Sequence, residues 1–260
     1  MAEQMGPSFD PDRIAALRAE LQKSAGAPAG SVPSGPQFSA PRPAPTAPAA
    51  PPSPQSGRTA ALKVLWQRAI AMTLAFVALL YAVEGVDTVT HHDLDSAGVR
   101  PRTAAGLEGI VFAPVLHANW AHLIGNTLPV IVLGLLTLLT GIGRGLAATA
   151  IVWIVAGIGT WLTGATGSVH VGASVLVFGW LTYLISRGLF TRNLWQILVG
   201  VVVGLLYGSI LWGVLPGQPG ISWQGHVFGA LGGLLAGWVL SSNERRHRRG
   251  ESAGRLASSG

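Results

Sequence analysis

Beyond residue 64 the chain runs in apolar blocks separated by short polar or glycine-bearing breaks. A helix needs about 20 apolar residues to cross the hydrocarbon core of a bilayer. On that ruler the pattern predicts six spans, at about residues 65–86, 119–140, 145–164, 171–187, 194–213 and 223–242. Between Glu108 and Glu244 the only charged residues are Arg144, Arg187 and Arg192, which this reading places in loops. The expected fold class is therefore all-α and polytopic, a bundle of six transmembrane helices.

The N-terminal part has a different texture. Residues 24–57 hold ten of the 17 prolines and few large apolar side chains, too little burial to offset the entropy of ordering, so a disordered linker is expected there. Ahead of it, in residues 1–23, "DPDRIAALRAELQK" offers Asp10 as N-cap, Pro11 at the first helical position and Ile14, Leu17 and Leu21 on one face, predicting a short amphipathic helix. The membrane domain is expected over 58–242 and a basic tail over 243–260. The first apolar block is too long for the core of a signal peptide and lacks a small-residue cleavage site, so it is expected to serve as an uncleaved signal anchor.

Charge refines this picture. The net charge of +6 would suit nucleic acid if it were clustered on a soluble face, but its placement points elsewhere. Arg58, Lys63 and Arg68 precede the first span, Arg144 follows the second, Arg187 and Arg192 follow the fourth, and Arg245, Arg246, Arg248 and Arg249 follow the sixth. All fall on one side, and the opposite loops hold only Arg100 and Arg102 among Glu84, Asp87, Asp93, Asp95 and Glu108. The positive-inside rule then puts both termini in the cytoplasm, with lipid and not nucleic acid as the chain's surroundings. Glu84 is expected to face the headgroup region or the loop. In the outer loop, "GLEGIVFAPVL" is apolar enough to lie at the membrane interface. With no cysteine, thiolate catalysis and disulfides are excluded.

Polar groups inside spans are costly in lipid and mark protein-facing or water-filled sites. Here they share one depth. His117, His122 and Asn126 stand at the start of span two, Ser174 at the start of span four, and Gln224 and His226 at the start of span six; all three spans begin on the outer face. His122 and Asn126, four residues apart, share a helical face and offer two donors to a developing oxyanion. Ser174 and His226 are the minimum pair for nucleophilic acyl transfer. Gly225, Gly229, Gly233 and Gly237 form a ridge of small residues on the helix of His226 that invites close packing, most naturally against span four with its Gly172 and Gly179, where Phe178 would reach the imidazole.

Three motifs in order, "HANWAH" with Asn126, "GAS" at 172–174 and "GHVFGALGG" from Gly225, resemble the rhomboid family of intramembrane serine proteases, in its bacterial six-span form and most closely its actinobacterial members. The resemblance covers roughly residues 65–242. It implies a six-helix rhomboid-like bundle that hydrolyses peptide bonds in or near transmembrane segments of membrane-protein substrates through an acyl-enzyme. Ser174 would be the nucleophile and His226 the general base. His122, Asn126 and the Ser174 backbone N–H would hold the oxyanion, with His117, Gly172 and Phe178 in support.

Two departures bear on activity. The family's glycine after the serine is Val175 here, which would stiffen the turn or crowd the oxyanion hole, and Phe178 stands where relatives often carry Tyr. Gly225 occupies a position where Ala is common. A non-proteolytic scaffold that binds transmembrane segments is the alternative that Val175 raises; a solute channel is disfavoured because no polar groups continue through the cytoplasmic half of the spans. No cofactor is implied. His91 and His92, close to Asp93 and Asp95, read as solvated loop residues and not as metal ligands, and His170 as a residue that bonds the loop.

Overall fold

The computed structural model of the protein describes residues 11–24, 54–218 and 220–258. The chain divides into two units, one up to Pro51 and the other from Pro52 onward. In the first, α1 (Pro11–Ser24) is the short helix expected from the sequence, with Ile14, Leu17 and Leu21 exposed; its expected cap Asp10 and residues 25–53 of the expected linker lie outside the described residues.

The second unit is all helical among its described residues: α2 (Pro54–Val89), α3 (Ala104–Phe112), α4 (Trp120–Leu139), α5 (Ile142–Thr163), α6 (Ser174–Thr191), α7 (Leu194–Tyr207) and α8 (Trp223–Ser258), with short 3-10 turns at Leu94–Ala97, Ala113–Val115 and Gly208–Val214. Among the described residues, six segments are long and apolar enough to cross a membrane: Gly57–Val89, Trp120–Leu139, Ile142–Thr163, Ser174–Thr191, Leu194–Val214 and Trp223–Ser242.

The helix ends follow local chemistry. Asn119 caps α4, its Oδ1 accepting the His122 N–H at 2.9 Å, and Asn193 caps α7 through the Gln196 N–H at 3.2 Å. At the far end of α4, Arg144 donates to the Thr140 carbonyl at 2.9 Å, while Gly141 at φ +119° turns the chain into α5. Two expectations need correction. Arg144 is not a loop residue but lies in the first turn of α5. Nor is Arg187 a loop residue: α6 continues to Thr191 and buries Arg187, its guanidinium 5.8 Å from the Tyr183 ring centre. Glu84, expected at the headgroups or the loop, turns to the loop: it is 1 % exposed and within electrostatic reach of His92 and Asp95.

α6 is the axis of the bundle. Most of its residues are buried, and α4, α5, α7 and α8 all pack on it. The closest packing is with α8, where a Cβ at Gly229 would strike the Val175 carbonyl and one at Gly233 the Gly179 carbonyl and Thr182 Oγ1. Lacking Cβ atoms, these glycines let the two backbones touch. α7 sits at the periphery, with only Gly200 and Val203 fully buried. The segment between α2 and α4 is tied to α5 by two indoles, Trp153 Nε1 donating to the Ile110 carbonyl at 2.7 Å and Trp161 Nε1 to the Thr103 carbonyl at 2.8 Å.

Candidate active site

The approach to α6 sets the geometry. Val99 and His170 form an isolated antiparallel bridge, exchanging both backbone hydrogen bonds at 3.0 Å. Gly172 follows at φ +123°, a backbone conformation that disfavours side chains, and donates its N–H to the Ala113 carbonyl at 2.8 Å. The chain thereby turns so that Ser174 becomes the first residue of α6, where backbone N–H groups lack intrahelical partners and the helix dipole favours negative charge. Gly172 is needed for space as well, since a Cβ there would lie 2.6 Å from His122 Cε1.

His226 reaches Ser174 from the first turn of α8. Its Nε2 lies 2.9 Å from Ser174 Oγ and its Nδ1 lies 2.9 Å from the carbonyl oxygen of Gly213. A carbonyl only accepts, so Nδ1 carries the proton and Nε2 is left as the acceptor for the serine hydroxyl. The ring is further held by Phe178, stacked at 4.0 Å between centroids with 12° between planes. The expected stacking is present, and the hydroxyl of a Tyr is not required for it.

His122 and Asn126 face the same cleft as Ser174 and His226, a cavity of about 730 Å³ that also exposes Pro129 and Trp212. Asn126 is buried and its Nδ2 has no hydrogen-bond partner among the described residues, so a donor stands ready for an incoming acceptor. Pro129 lacks an N–H, and the Gly125 carbonyl four residues earlier is thereby deprived of its helical donor on the cleft wall. His117 lies behind, 1 % exposed, edge-on to His122 at 5.2 Å, and its Nε2 accepts the Ala173 N–H at 3.4 Å. Burial, and then the neighbouring His122, push the His117 imidazole down to about 4, so it is neutral and structural in character.

Val175 departs from the expectation that it crowds this cleft. Its side chain lines a separate small cavity with Ile110, Trp153 and Thr160. A Cβ at Gly225 would come 2.9 Å from Val175 Cγ1: the larger residue on α6 is matched by the smaller one on α8.

Three participants are not singled out by the sequence reading. Gly213 acts through a carbonyl, which every residue possesses. Ser222 caps α8, its Oγ accepting the Gly225 N–H at 3.3 Å, and is 2.7 Å from His170 Nδ1, while His170 Nε2 is 2.8 Å from Ser168 Oγ. His170 thus bonds the loop as expected, and it also links the segment entering α6 to the cap of the helix carrying His226; burial lowers its pKa. Asn119, overlooked within "HANWAH", was legible as an N-cap before an apolar run.

Known proteins bear on this geometry. The Rhomboid domain family matches residues 105–243. An uncharacterized protein of Mycobacterium tuberculosis is 51% identical over 189 residues, covering 70% of this chain and 79% of its own length. An uncharacterized protein of Mycobacterium leprae is 46% identical over 200 residues, covering 74% and 79%. A Bacillus subtilis protein named "Putative rhomboid protease YdcA" is 30% identical over 165 residues, covering 62% and 78%. No solved structure matches the chain significantly.

Proposed function

Since the chain belongs to the rhomboid family of multi-pass membrane proteins, we propose that it is an intramembrane serine endopeptidase whose nucleophile is Ser174 and whose general base is His226. The observation that carries the reading is the 2.9 Å contact of Ser174 Oγ with His226 Nε2, together with the Gly213 carbonyl that fixes the imidazole tautomer.

In this mechanism Ser174 Oγ attacks the scissile carbonyl and its proton passes to His226 Nε2. The tetrahedral oxyanion is held by Asn126 Nδ2, the His122 imidazole and the Ser174 N–H at the start of α6. The imidazolium then protonates the departing amine as the C–N bond breaks, leaving an acyl-enzyme. Water, deprotonated by the same nitrogen, attacks the ester, and release of the acid returns the proton to Ser174 Oγ. Gly213 replaces the carboxylate of a triad as the group that orients the base. The Gly125 carbonyl, without the N–H donor that Pro129 cannot supply, offers an acceptor to a substrate backbone drawn into the extended form.

The substrates on this reading are membrane proteins whose transmembrane helices unwind into the cleft. Both termini lie in the cytoplasm and the cleft opens toward the outer face of the plasma membrane, which the bias of Lys and Arg supports. The packing of Val175 against the Gly225 position, outside the cleft, weighs against an inert scaffold.

The test is cleavage of a single-span reporter in liposomes, with fluorophosphonate labelling in parallel. Wild type and Val175→Gly should both cleave and be labelled, and Ser174→Ala should do neither. Cleavage by Val175→Gly alone would establish the scaffold reading, and cleavage persisting in Ser174→Ala would remove Ser174 from the chemistry.

A further inference from the structure

The outer end of α2 gathers acidic groups that the proposed proteolysis does not use. Glu84 and Asp87, three residues apart on one helical face, are each 1 % exposed. Beyond α2, His91 and His92 adopt φ of 57° and 66°, a left-handed pair that is rare outside glycine and folds the loop back on the helix end. The His92 N–H donates to the Asp87 carbonyl at 2.8 Å, the Leu94 N–H to Asp87 Oδ1 at 2.8 Å, and His92 Nδ1 stands 3.2 Å from Asp87 Oδ2. The turn Leu94–Ala97 then delivers Asp95.

As a result, one ligand atom each from Asp87, His92 and Asp95 lie within 4.8 Å of one another. A second observation points to a ligand. Both carboxylate oxygens of Glu84, and Oδ1 of Asp95, are buried without a hydrogen-bond partner, and the Glu84 carboxylate is within electrostatic reach of Asp87, Asp95 and His92. Three carboxylates stand beside one imidazole here, and carboxylates buried in that excess must either take up protons or meet a counter-charge. The sequence reading takes His91, His92, Asp93 and Asp95 for solvated loop residues; the fold instead brings His92 and Asp95 together with Asp87, beside Glu84.

We infer that Asp87, His92 and Asp95, backed by Glu84, form a binding site for a divalent transition-metal cation of the Zn²⁺ or Mn²⁺ type. The imidazole favours these ions over Ca²⁺ and Mg²⁺, which take oxygen ligands. The site is structural. It clasps the loop to α2, and the same loop continues through Gly98, whose Cβ position lies 2.7 Å from the His170 carbonyl, into the Val99–His170 bridge ahead of Ser174.

The experiment uses untagged, full-length protein in detergent, stripped with EDTA and titrated with Zn²⁺, Mn²⁺, Ca²⁺ and Mg²⁺ while heat and melting temperature are followed. One equivalent of Zn²⁺ or Mn²⁺ per chain is expected, with a rise in Tm. Affinity should fall about tenfold or more in Asp95→Asn and in His92→Ala and stay unchanged in His91→Ala. Equal melting of wild type and variants in EDTA would show that the variants fold. No saturable binding, equal binding by all variants, or preference for Ca²⁺ would each overturn the assignment, the first in favour of a proton shared among the carboxylates. The readout is metal binding, so it is independent of whether Ser174 cleaves anything.

Discussion

On the proposed mechanism a carbonyl oxygen orients the general base, and that makes Gly213 the residue whose side chain matters by being absent. A methyl group there would lie 2.9 Å from Phe178 Cζ and 3.2 Å from His226 Nδ1. Gly213→Ala is therefore expected to lower kcat on the order of 10²-fold with little change in KM, as reporter kinetics would read. Val175 and Gly225 form a matched pair. Gly225→Ala alone should destabilise the protein by roughly 1–3 kcal/mol through overpacking, and Val175→Gly in the same chain should recover part of that loss, a coupling measurable by thermal melting of the four combinations. His117, held neutral with a pKa of about 4 against an ordinary 6.5, gains a proton only on unfolding in that window. Stability should thus fall as pH drops from 6.5 toward 4, and the fall should be shallower in His117→Gln. Ser174, His226, His122 and Asn126 were legible because their side chains are unusual at that depth of an apolar chain, whereas a backbone acceptor such as Gly213 leaves no mark in composition or spacing.

Among the elements, the contact of α6 with α8 decides whether Ser174 and His226 meet. A Cβ at Gly233 would strike backbone and side-chain atoms of α6, while one at Gly85 on α2 would meet nothing within 4 Å. Gly233→Ala should abolish reporter cleavage and lower the melting temperature, and Gly85→Ala should leave both near wild type; equal effects would mean that the ridge is not the contact that matters. The six spans were readable because the membrane ruler is coarse and the apolar blocks are long. What escaped it were features set by tertiary contact. Arg187 stays inside α6 beside Tyr183, Glu84 turns inward at the end of α2, and the fifth span ends in the 3-10 turn that presents Gly213.

At the scale of the whole molecule, the bias of Lys and Arg makes a topological prediction that the absence of cysteine makes easy to check. In inverted and right-side-out vesicles, a membrane-impermeant maleimide should reach Ala165→Cys from the outer side and Ala60→Cys from the inner side, and reversed labelling would invert the proposed orientation. The central place of α6 and the marginal place of α7 carry a consequence in time. Amide protons of α6 should exchange with deuterium at the rate of global unfolding, those of α7 through small local openings. If the proposed function holds, the helix bearing Ser174 would then stay still through many turnovers while its outermost neighbour breathes, and the pace at which a substrate helix is admitted would be set by that breathing and not by bond cleavage.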